Sequence, residues 1–175
     1  LGIVAGVVPC QAYDDPDVRD AAPQRLSLIE LARVLPAGEL GATVAPVLAP
    51  YPCDRKLAAE HQAEQRDAVS AAEVAAVPGA ERELAEALVE GVRSGLAGVE
   101  ADVEAQYQPF PVDLQSIRGA NRLWWGAEDT VTPPVFGAWY AAQLPGAELD
   151  LEAGAGHHLL LTRWATIVRA LADLV

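Results

Sequence analysis

The chain opens on Leu1 to Val8 (LGIVAGVV), an unbroken apolar run rich in β-branched residues. Such a run predicts a strand buried on both faces within a parallel sheet. From Tyr13 to about Gln108 the pattern becomes helical, in a stretch rich in Ala and Glu. Pro23 to Leu35 sets Leu28, Ile29, Ala32 and Leu35 on one face, and Pro36 with Gly38 ends it. A short segment, Glu39 to Leu48, is bounded by the Pro50-Tyr51-Pro52 turn. Asp54 is placed to cap the next helix, which is expected to run to about Val77 before Pro78-Gly79. Ala80 to Gly95 repeats the pattern with Leu84, Leu88 and Val92. Gln108-Pro109-Phe110-Pro111 then breaks the helical region, and Val112 to Arg118 (VDLQSIR) is expected to lead back into the core.

The last third alternates strand and helix. Leu123-Trp124-Trp125 is a short apolar run stopped by Gly126, and its two tryptophans fall on opposite faces of a strand. A Thr-rich turn closed by Pro133-Pro134 leads into an amphipathic helix through Trp139 and Leu144. Ala147 to Leu151 alternates apolar and acidic residues and ends in Gly154-Ala155-Gly156. The final helix, Leu160 to Val175, spaces Leu160, Trp164, Ile167, Val168, Leu171 and Leu174 on one face, which should pack against the sheet. This order of elements predicts an α/β protein with parallel strands. It divides into a core strand and exit loop (1–12), a helical region (13–110) and a C-terminal core (111–175).

Composition narrows the class. At 175 residues, with 51% hydrophobic and 21% charged residues, the chain suits one globular domain. A net charge of −13 argues against nucleic acid or an anionic membrane surface as partner, since phosphate would be repelled. No apolar run approaches the ~20 residues of a membrane span, and no signal-peptide pattern is visible. Cys10 and Cys53 lack metal or redox spacing, so reduced thiols in a cytoplasmic protein are the expectation. The sequence has no methionine, and its first strand begins without a lead-in. It is therefore expected to be the downstream part of a larger protein.

The candidate chemistry lies at the ends of the last two strands. Asp129 follows the first of them and His157 the second, 28 residues apart, on the ~30-residue scale of a βαβ unit. A right-handed crossover returns parallel neighbours to one rim, so a carboxylate–imidazole hydrogen bond becomes sterically easy. A carboxylate so placed orients the ring and leaves the other nitrogen to act as general base. Asp129 also suits a turn cap before Pro133. His158 and Val131 are expected to line the pocket beside this pair. No metal site is expected, because adjacent histidines project differently and no further ligand cluster accompanies them. His61, among Glu60, Gln62 and Glu64, is expected to be solvated. Asp14, Asp15 and Asp17 read as a turn and helix cap, although three acids can also hold a weak cation.

WWGAEDTVTPP followed by PGAELDLEAGAGHH resembles the C-terminal half of the α/β-hydrolase superfamily. There a strand–G-x-x-D loop carries the triad acid and a Gly-rich loop carries the triad histidine, in the order Ser, Asp, His. Gly126 to Asp129 match the acid loop, which selects Asp129 over Glu128, and Gly154 to His157 match the histidine loop. The resemblance implies a partial α/β-hydrolase fold in which residues 13–110 form a helical cap inserted after the first strand. The nucleophile elbow G-x-S-x-G is absent: Ser27, Ser70, Ser94 and Ser116 all lie outside that frame. The resemblance therefore implies a serine-type hydrolase of an ester, or of a related acyl or carbon–carbon bond, whose nucleophile lies on a missing or separate upstream part. It implies no cofactor. The partners expected are a small-molecule substrate and a companion N-terminal polypeptide, or self-association through an exposed first strand. The alternatives are a lyase or haloperoxidase-like enzyme on the same scaffold, or a non-catalytic fragment or binding module.

Overall fold

The computed structural model describes residues 1–36, 38–48, 54–108 and 110–174, without the side chains of 45–48. The expected Pro50-Tyr51-Pro52 turn, the break at Pro109 and Cys53 lie outside these residues. Three parallel strands, β1 (Gly2–Val4), β2 (Asn121–Gly126) and β3 (Ala147–Glu152), form a sheet in sequence order. The long excursion between β1 and β2 carries α1 (Pro16–Ala21), α2 (Leu26–Val34), α3 (Leu40–Leu48), α4 (Arg55–Gln65), α5 (Ala68–Ala75), α6 (Ala80–Val92) and α7 (Ala97–Tyr107). Helix α8 (Pro134–Gln143) joins β2 to β3, and α9 (Leu159–Ala172) follows β3. The α/β class with parallel strands and a helical insertion is thus the observed one.

The two tryptophans of β2 divide the interior. Trp125 faces a large cluster with Phe136 and Leu144 from the α8 side, Ile29, Leu40 and Val103 from the insertion, and Tyr13 and Val18. Trp124 faces the opposite side, against Ala155, Leu159 and Ile167. Strand pleating sends consecutive side chains to opposite faces, so the Trp-Trp pair alone requires both faces to be covered.

Three expectations need correction. First, β1 is neither eight residues long nor fully buried. Ala5 adopts φ 44°, a left-handed conformation that ends the strand, and Ile3 and Val4 are only half-buried at the sheet edge. Second, the single helix expected from Asp54 to Val77 is two. Asp54 does cap α4, accepting from the Lys56 and Leu57 amides at 2.8 and 3.1 Å. Asp67 then starts α5 by accepting the Ser70 amide at 2.8 Å. An Asx cap offers the backbone an alternative to continuing the helix, and here it wins. Third, α9 does not bury its whole apolar face. Leu159 and Ile167 are buried, while Leu160, Val168 and Leu174 are exposed and Trp164 is 61% exposed. A three-stranded sheet presents a surface narrower than that face.

The acidic cluster resolves as a turn and cap. Asp15 accepts the Asp17 amide at 2.9 Å ahead of α1, and Asp14 meets Arg33 at 3.2 Å on the surface. Among the described residues no helix is long and apolar enough to cross a membrane.

Candidate active site

Strands β2 and β3 are parallel neighbours, so their carboxyl ends reach the same rim. Two backbone hydrogen bonds lace the loops that follow. Ala127 N–H donates to Glu152 O and Glu128 N–H to Ala155 O, each at 2.9 Å. Gly126 permits this approach, because a Cβ there would collide with the carbonyl groups of Ala155 and Gly156.

The lacing brings Asp129 to His157. Imidazole Nδ1 lies 3.0 Å from Asp129 Oδ2. Asp129 is 3% exposed, whereas neighbouring Glu128 is exposed to solvent. The Asp129 carboxylate is held on all sides. Its Oδ1 accepts the Val131 and Thr132 amides, both at 2.8 Å, and its Oδ2 accepts the Thr132 hydroxyl at 2.7 Å. That hydroxyl also lies 3.1 Å from Ala5 O, but its single proton goes to the shorter, charge-assisted contact. Burial pushes the Asp129 carboxyl up; the hydrogen bonds from His157 and Thr132 outweigh it and hold the group below its usual range. Asp129 therefore stays ionised, and its geometry requires the Nδ1–H form of His157. Nε2 is left without a hydrogen bond among the described residues, in the state a general base needs.

His157 lines a cavity of about 220 Å³ together with His158, Val131, Ser70, Leu88 and Arg66. His158 and Val131, expected at a pocket beside the pair, both line this cavity. His61, expected to be solvated, is instead half-buried and lines the same cavity from α4. The reason is tertiary. Helix α4 packs against α6 and turns that face inward, which no local pattern of charges reveals. Burial, repulsion from His157 when that ring is protonated, and Arg66 all push His158 below its ordinary value, outweighing Asp129 and Asp67. Among the described residues no cluster of His, Cys, Asp and Glu could hold a metal.

Several residues of the site were not legible beforehand. Thr132 braces Asp129. Asp67 on the α5 cap accepts the Thr130 hydroxyl at 2.7 Å, tying the insertion to the acid loop. The Asp67 carboxyl is held low by the Ser70 amide and by Thr130. Glu73 ties the same helix to the histidine loop. Ser70, 2% exposed, turns its hydroxyl inward with no hydrogen bond of ordinary length. The spacing Asp67-x-x-Ser70, a helix N-cap signature, was the available signal for α5.

The chain is thus a mixed α/β protein in which a buried carboxylate meets a half-buried imidazole at the carboxyl edge of a parallel sheet. No protein-family model matches it, and neither does any curated protein. Among solved structures, it is similar to a protein of Mycobacterium tuberculosis H37Rv named as a non-heme bromoperoxidase, with 17% identity and a TM-score of 0.42 over 69% of this chain and 50% of that one. It is also similar to a thermophilic esterase of Thermogutta terrifontis, with 16% identity and a TM-score of 0.47 over 99% of this chain and 54% of that one. Both are α/β-hydrolase-fold proteins. The chain spans about half the length of each.

Proposed function

We propose that this chain carries the acid and the base of a serine-type hydrolase acting on a small ester, or on a related acyl or carbon–carbon substrate. One observation carries the reading: the 3.0 Å contact between His157 Nδ1 and buried Asp129, with the ring lining a cavity. Asp129 orients the imidazole and stabilises its charged form. His157 Nε2 takes the proton of the attacking hydroxyl and returns it to the leaving group. The described helices within residues 13–110 roof the cavity as a cap, with His158 and Val131 in its lining. The nucleophile lies on an upstream part, either absent from this sequence or carried by a separate companion polypeptide. The same part would add a strand beside β1, whose outer edge pairs with no strand among the described residues.

Ser70 supports a second reading, because its buried hydroxyl shares the cavity with His157. It sits inside a helix rather than on a strained strand-to-helix turn, and it makes no hydrogen bond to the imidazole, which disfavours it. A fluorophosphonate probe separates the two. Labelling on a companion chain, abolished by His157→Ala, is the expected result. Labelling on Ser70 would move the nucleophile into this chain, and labelling or turnover unaffected by His157→Ala would end the reading altogether.

A further inference from the structure

Glu73 is a buried carboxylate, 7% exposed, on the side of α5 that faces the histidine loop. Its Oε1 accepts the Gly156 amide at 2.8 Å and its Oε2 accepts the His158 amide at 2.9 Å. Those two amides flank His157, so each oxygen holds one side of the residue that carries the imidazole. The approach is close. A Cβ on Gly156 would lie 3.2 Å from Glu73 Oε2 and 3.1 Å from the Ser70 hydroxyl, so glycine is what lets α5 settle there. A buried carboxylate is costly unless its hydrogen bonds are made, and Glu73 forms no ion pair among the described residues. The two charge-assisted amide bonds are therefore strong and specific in direction.

We propose that Glu73 is a positioning residue for His157: by gripping the amides on either side, it fixes the histidine loop so that Nδ1 faces Asp129. This rests on Asp129 and His157 being the acid–base pair. The inserted helices then do more than roof the cavity. Helix α5 clamps both rim loops, through Asp67 to Thr130 and through Glu73 to Gly156 and His158. Seating of the insertion and orientation of the base become one event.

A purely structural role makes a different prediction. His158 is the N-cap of α9, which has no side-chain cap and no acid in its first turn, so Glu73 also supplies the negative charge that a helix start favours. Glu104 does the same for α3, accepting the Gly38 and Gly41 amides at 2.7 and 3.0 Å, and takes no part in the site. It is the matched control.

The experiment reads the tautomer of His157 by long-range proton–nitrogen NMR of isotope-labelled histidine, above the pH range in which imidazole titrates. The intact protein should show the Nδ1–H form that Asp129 selects. Glu73→Gln keeps the size, but it replaces one acceptor with a donor facing an amide. It should shift His157 towards the Nε2–H form usual for free imidazole, while the amide spectrum stays folded. Glu104→Gln should lower the melting temperature and leave the tautomer unchanged. If Glu73→Gln does not fold, Glu73→Asp retains the charge, retracts it by one methylene, and is expected to give the same shift. Retention of the Nδ1–H form in the folded Glu73 variant reduces Glu73 to a helix cap and overturns the proposal. An Nε2–H form already present in the intact protein would instead overturn the Asp129–His157 pair itself. The tautomer needs no turnover, so the two failures remain distinct.

Discussion

Asp129 performs two tasks with one carboxylate. Its Oδ1 closes the turn by accepting the Val131 and Thr132 amides, and its Oδ2 faces the imidazole. The turn-capping reading of this residue is therefore realised in geometry, and the cap is what aims the second oxygen at the imidazole. The pH dependence of stability follows from the two shifted groups. The Asp129 carboxyl is held below its ordinary 3.8, so the stability from its ionisation is complete above that pH and is lost as pH falls through the lower, folded value. His158 is held below 6.5 chiefly by burial, so folding favours its neutral form and stability declines as pH falls from 6.5 towards the folded value. Thermal melts across this range should show that His158→Gln flattens the upper part of the decline. Asp129→Asn should remove the lower part. If neither substitution changed the profile, these groups would not be linked to folding.

Among the elements, α5 matters more than its eight residues suggest. It reaches both rim loops, and it exists as a separate helix because Asp67 interrupts the run that begins at Asp54. Asp67→Ala removes the cap and the Thr130 contact together. The cap alone is worth about 1 kcal/mol. Denaturant unfolding of Asp67→Ala should show a loss of that order or somewhat greater, and a loss near zero would mean that α5 is held by packing alone. The same element shows where sequence reading stops. Helical period and the Asp54 cap were visible, but a second cap inside a continuous helical pattern gave a break that periodicity could not see. Glu73 looked like any other surface glutamate on an acidic helix, because only the fold brings an amide pair 83 and 85 residues away against it.

At the scale of the molecule, β1 and β3 are the two edges of the sheet among the described residues, and α9 leaves Trp164 and its apolar neighbours exposed. Leu1 O accepts the Arg122 amide and Ala5 N–H donates to Trp124 O, so odd-numbered residues of this segment bond inward and Gly2 and Val4 direct their backbone groups outward. Proline at position 4 would therefore block pairing at the free edge without breaking the ladder to β2. Without a companion, the chain should sediment heavier than its 18.4 kDa monomer, and Val4→Pro should restore the monomer. A monomer at every concentration would argue that the β1 edge needs no partner.

The sequence by itself determined the α/β class, the parallel order of the last two strands, and the pairing of Asp129 with His157. Each follows from local signals that fold topology transmits almost without loss: strand–helix–strand handedness, a glycine where two backbones must touch, and an acid and a base at successive strand ends. The tertiary structure alone decided the half-buried edge position of β1, the exposed face of α9, the inward turn of His61 and the grip of Glu73. Those depend on which surfaces meet across the chain. A residue's own periodicity records that it can be buried or bonded, but not what will come to cover it.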